Sequence, residues 1–238
     1  MKAVNHFLFS ASLTCLASLI AGIFFASKRS WAKRIFGLFW LATSFWSFTA
    51  ATQQELLEWL PERVWGWFLH LGCVLVPIVF FHFTALYTGN GKSLSGAVLI
   101  GYGIAASFLL LNAFTRLFTF GTEYRDDYAY PKPAVLYPLY IFFFQVAGAW
   151  ATVLLFRLRA AISSDSRALL NWFLVFHVLA YAGAMDNYLI MYDVRIFPVY
   201  PFGLYLVVPY AIFGSFLVSK IQNPMMSRTW LKNRSQMI

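Results

Sequence analysis

Polar side chains in the outer halves of the apolar stretches include His70, Asn112, Arg116, Gln145, Asp186 and Asn187. A carboxylate or a guanidinium inside an apolar run costs desolvation energy, so it is expected to have a partner or a task. Asn112 and Arg116 are four residues apart and share one face of a helix. Arg116 and Asp186 each stand near the end of their run. The chemistry open to such a set is hydrogen bonding and ion pairing to a ligand. The expected site is an outward-opening polar cavity floored by Gln145 and Asn112, with Asn187 at its rim. Arg116 and Asp186 would pair there or contact the ligand. The alternative is that Arg116 snorkels to the interface and Asp186 bonds within its own loop.

Three histidines raise the question of a metal. His70 and His82 are 12 residues apart, about 18 Å along a helix, too far for one coordination sphere. His177 stands nine residues before Asp186 and on the opposite helix face. Lone histidines of this kind are expected to hydrogen-bond between helices. No metal site is expected, and no cofactor. The chain has no HExxH, no GxSxG and no phosphate-binding glycine loop, so an enzyme is not expected. A retinal Schiff base would need a lysine inside the last span, and Lys220 stands only at its boundary.

Composition sets the class. The 238 residues are 61% hydrophobic, 20% aromatic and 11% charged, with mean hydropathy +0.66. A soluble domain would carry about 25% charge. The expected class is therefore an all-α, polytopic membrane protein. Seven apolar segments are expected near 6–26, 35–53, 65–87, 94–118, 137–157, 169–191 and 202–220, a seven-transmembrane helix bundle. Residues 221–238 form a short basic tail. The run from Phe7 to Ala26 is longer than the core of a cleaved signal and reads as a retained first helix. Cys15 and Cys73 lie inside apolar runs, where packing is the expected role.

The net charge of +9 is unevenly placed. Lys28, Arg29, Lys33, Arg34, Lys92, Arg157, Arg159, Arg167, Lys220, Arg228, Lys232 and Arg234 fall in alternate connections or the tail, with Asp165 the one acid among them. The other connections hold Glu55, Glu58, Glu62, Glu123, Asp126, Asp127 and Asp193 beside fewer bases. Positive-inside orientation then predicts the N-terminus outside and the C-terminus cytoplasmic, in the cell inner membrane. A nucleic-acid partner is not expected, because the bases flank spans. The outer connections are the elaborate ones: 53–63 is acidic, and 119–138 is rich in tyrosine and proline. Recognition is expected on that face.

Asn171 to Lys220 carries a resemblance. DNYLIMYDVRIFPVYPFGLYLVVPYAIFGSFLVSKI is similar to the last two helices of the seven-transmembrane N-terminal sensor region of bacterial histidine kinases. Asn187, Tyr200, Pro201 and Gly203 stand where that family shows an asparagine and then an aromatic-Pro-small pattern. VPIVFFHFTALYTG (76–89) resembles its third helix. The resemblance implies a sensor or receptor that detects a ligand or envelope condition outside and signals through helices six and seven. The segment after helix seven resembles no phosphoacceptor helix and no ATP-binding domain, so the output is expected from a separate protein partner. Other expected partners are membrane lipid and an unidentified small-molecule ligand. Two other readings remain open. One is a structural or assembly subunit, for which Gly101, Gly103, Ala105 and Ala106 offer a small-residue stripe. The other is a small transporter, which the thinning of polar residues in the inner half and the lack of an internal repeat disfavour.

Overall fold

The computed structural model describes residues 6–125, 128–160, 162–194 and 202–220. The basic tail, Tyr200, Pro201 and the Arg195 end of the linker lie outside them. The described chain is a helical bundle: α1 His6–Ala26, α2 Trp31–Ala51, the short α3 Gln53–Trp59, α4 Glu62–Tyr87, α5 Ser95–Phe114, α6 Tyr137–Arg159 and α7 Ser164–Leu189. The last helix is built in three pieces, α8 Phe202–Pro209, a π turn Tyr210–Gly214 and α9 Ser215–Lys220. Pro209 has no N–H to give the ladder, and the wider π turn follows it directly.

Six of these helices are long and apolar enough to cross a membrane, which makes the chain a multi-pass membrane protein. The exception among the long ones is α2, whose hydropathy is lowered by Lys33 and Arg34 near its start and by its Trp, Ser and Thr content. Its hydroxyls are satisfied locally: Thr43, Ser47 and Thr49 donate to the carbonyls of Phe39, Thr43 and Phe45 at 2.8–2.9 Å. Ser44 instead reaches across to the Cys15 carbonyl of α1 at 3.1 Å. α2 lies inside the bundle, packed between α1 and α4.

Glycines set how close the helices come. A methyl group on Gly37 would meet the backbone of Ala26 and Gly22, and one on Gly72 would meet Trp46 and the Ala42 carbonyl. The closest approach joins α7 to α8, where Gly183 and Gly203 meet backbone to backbone. Without a hydrophobic driving force in lipid, such close contact supplies helix association through dispersion.

Residues 119–133 hold an element that the helical reading of the sequence does not anticipate. β1 Thr119–Arg125 and β2 Tyr128–Pro133 form an antiparallel ribbon. Tyr124 pairs with Ala129, and the register shifts between Thr119 and Thr122. Gly121 sits in that shift at φ 76°, a conformation that glycine adopts without strain. The fourth apolar segment, α5, therefore ends at Phe114 rather than near 118. Phe118, wholly buried, plugs the bundle beneath the ribbon against His70, Phe108, Tyr137 and Tyr140.

Candidate functional site

The ribbon covers a cavity of about 50 Å³ at its end of the bundle, lined by Trp46, Gln53, Trp65, His70, Tyr130, Tyr137, Asn187, Tyr188, Met191 and Leu204 among others. Several elements meet there. α2, α3, α4, α6, α7 and α8 form walls, and Ala129–Pro131 of β2 close over them. The volume is enough for a few water-sized groups. No Lys, Arg, Asp or Glu lines it.

The walls are held by hydrogen bonds that fix side-chain orientation. His70 Nδ1 is 2.7 Å from the Gly66 carbonyl, an acceptor only, so that nitrogen carries the proton. Nε2 then accepts from the Tyr137 hydroxyl at 3.3 Å. Pro77 has no N–H for the carbonyl of Cys73 four residues earlier. The Tyr140 hydroxyl donates to that oxygen at 3.0 Å and also lies 2.6 Å from the Tyr188 hydroxyl. Helices α4, α6 and α7 are thereby joined through one freed carbonyl. The Trp65 indole donates to the Thr49 carbonyl of α2 at 3.3 Å.

Gln53 differs from these. It is 4% exposed, lines the cavity, and has no hydrogen-bond partner for its side chain among the described residues.

The five polar residues of the expected site do not converge on one cavity. Asn187 lines the covered cavity, and its amide also lies 3.5 Å from the Gly183 carbonyl. Arg116 is exposed and lines a different cleft. Asn112 is buried as a structural tie: it accepts from Thr119 at 2.6 Å and donates to the Gly66 carbonyl at 3.4 Å, anchoring β1 to α4. Gln145 accepts from Tyr181 at 2.7 Å and lies 2.7 Å from the Met185 sulfur, joining α6 to α7. Asp186 is buried, and its Oδ2 finds no hydrogen-bond partner. No ion pair joins it to Arg116 among the described residues.

The other histidines do bridge helices. His82 Nδ1 is 3.1 Å from the Tyr102 hydroxyl of α5, and His177 Nε2 is 3.1 Å from the Thr152 hydroxyl of α6. Among the described residues no three His, Cys, Asp or Glu side chains come together as metal ligands would. Deeper in the bundle a cavity of about 70 Å³ lies among Phe39, Pro77, Phe80, His177, Tyr181 and Tyr210. It adjoins the π turn, which begins at Tyr210.

The sequence reading passed over Gln53, Tyr137, Tyr140 and Tyr188. Tyrosines near span ends read as an interfacial belt, yet these three hydroxyls point inward. Pro77 was the available signal, because a proline inside a helix always leaves a carbonyl in need of a donor. No known protein family, curated protein or solved structure matches the chain.

Proposed function

We propose that the chain is an outward-facing sensory module of the inner membrane, with α2 as a seventh span, the N-terminus outside and the C-terminus cytoplasmic. The covered cavity receives the signal, and α7 and the α8–α9 helix carry it to a separate output protein. One observation carries this reading. Asn187 and Tyr188 after the crossing point on α7, Met191 in the 3-10 turn that follows it, and Leu204 at the start of α8 line the same cavity directly above the Gly183–Gly203 contact. Filling that cavity bears on a place where the two helices meet through glycine and have no side chains to absorb a shift. Interiors packed this closely rearrange between discrete states rather than deforming smoothly. The π turn lies farther along the same helix.

The test needs no identified ligand. Leu204→Trp would fill the cavity from α8, and the thiol-labelling rate of Ser219→Cys at the far end of α9 reads the response. A several-fold change in rate, with the chain still folded, is the expected result. An unchanged rate would sink the sensory reading. Co-purification in mild detergent with mass spectrometry identifies the output. A kinase, cyclase or response regulator fits the proposal.

A second reading is favoured by α5, which packs chiefly on α4. Gly101 and Ala105 of its small-residue stripe are used inside, against Ile78 in the case of Gly101. Gly103 and Ala106 face outward, and a methyl group on Gly103 would meet nothing within 4 Å. That open face suits an assembly subunit. Stoichiometric subunits of a larger complex in the same co-purification would favour it over the sensor.

A further inference from the structure

Beside the covered cavity, a cleft of about 410 Å³ opens between the start of α4, the end of α5 and β1. Its lining includes Glu62, Arg63, Thr115, Arg116 and Phe120. Three charges of mixed sign face one space at the level where two apolar helices end. No ion pair joins them among the described residues. Glu62 and Arg63 are successive helical residues and diverge. Arg63 is tied instead to the segment that carries Arg116, donating to the Thr115 carbonyl at 3.3 Å. The two guanidiniums thus belong to one constellation, with a carboxylate beside them.

Guanidinium groups match phosphate in fork geometry, and a carboxylate matches an ammonium group. A ligand carrying a phosphate and, a short linker away, a primary amine would satisfy all three. Phe120 lines the cleft at 49% exposure, and Phe114 and Leu117, next in sequence to Thr115 and Arg116, are 78% and 47% exposed. Those surfaces suit acyl chains and favour a lipid over a soluble ester of the same headgroup. The geometry points to a headgroup site for a phosphoethanolamine glycerolipid, with Arg63 and Arg116 on the phosphate and Glu62 on the amine. This site adjoins the covered cavity at Pro131 but does not depend on the sensory reading.

The full chain is reconstituted in nanodiscs holding equal phosphatidylethanolamine, phosphatidylglycerol and phosphatidylcholine. It is then stripped gently, and the retained lipids are counted by native mass spectrometry. The unaltered chain should retain phosphatidylethanolamine above the other two. Arg116→Ala should lower that retention on the order of tenfold, the loss of one charge-assisted contact. Glu62→Gln should shift the preference toward phosphatidylglycerol, since the amine loses its partner while the phosphate keeps both arginines. Soluble glycerophosphoethanolamine should displace little. All three side chains are exposed, so both variants should fold, which thermal unfolding checks. Equal retention of the three lipids overturns the proposal. So does an unchanged ratio in Glu62→Gln, or full displacement by the soluble headgroup.

Discussion

The Tyr140 hydroxyl, from α6, donates at 3.0 Å to the Cys73 carbonyl that Pro77 leaves without its helical donor. A proline inside α4 thus becomes a connection to a neighbouring helix rather than a defect. Removing the hydroxyl should matter only while the proline is present. Tyr140→Phe should destabilise the bundle by roughly 1–2 kcal/mol, the usual scale for an interhelical bond whose loss strands a buried acceptor. In a Pro77→Ala background, where residue 77 can donate to Cys73 itself, the loss should shrink to the Tyr188 contact. Unfolding in mixed detergent micelles measures both. Equal losses in the two backgrounds would remove the link between the proline and the tyrosine.

Gly203 and Gly103 predict opposite outcomes for the same substitution. Gly203→Ala drives a methyl group into the Gly183 backbone and should cost about 1–3 kcal/mol. Gly103→Ala meets open space and should be neutral or stabilise by about 0.5–1 kcal/mol through helix propensity. Thermal unfolding of both variants separates a packing role from a compositional one.

Asn112 and Thr119 bind the ribbon to the bundle at 2.6 Å. Thr119→Val keeps the shape of the side chain and deletes the donor. The amides of β1 and β2 should then exchange with deuterium several-fold faster, while α1 and α2 stay unchanged. Uniformly faster exchange would mean a global loss of stability instead.

Arg116 lines the cleft beside β1 and Asp186 does not, and among the described residues no ion pair joins them. Their effects on stability should therefore add: the sum of Arg116→Ala and Asp186→Ala should match the double variant within about 0.5 kcal/mol. A double variant less harmed than either single one would restore the idea that they pair.

Orientation can be read from two single cysteines. Ser93→Cys, in the turn before α5, should react with a membrane-impermeant thiol reagent only from the cytoplasmic side. Phe120→Cys, 49% exposed on β1, should react only from outside. The reverse result would invert the proposed topology.

The amino-acid order alone determined the class of this protein, because class follows from quantities that add along the chain. Apolar runs of about 20 residues, few charges and unequal loops are local properties, and six of the marked segments are helices long and apolar enough to cross a membrane. Helix-bridging roles for His82 and His177 were legible for the same reason, since a lone polar group in an apolar run has few other ways to be satisfied. Of the candidate site, Asn187 was legible but its surroundings were not. A periodicity shows which residues share a face of one helix, but not toward which neighbour that face turns. Here the turning is set by backbone contacts such as Gly183 with Gly203 and by the ribbon anchored through Asn112. Those contacts separate Arg116 from Asp186 and use Gln145 and Asn112 as ties. They also bring Gln53, His70, Tyr137 and Tyr188, distant in sequence, around one cavity. Polarity could be read in one dimension; convergence required the packing of helices in three.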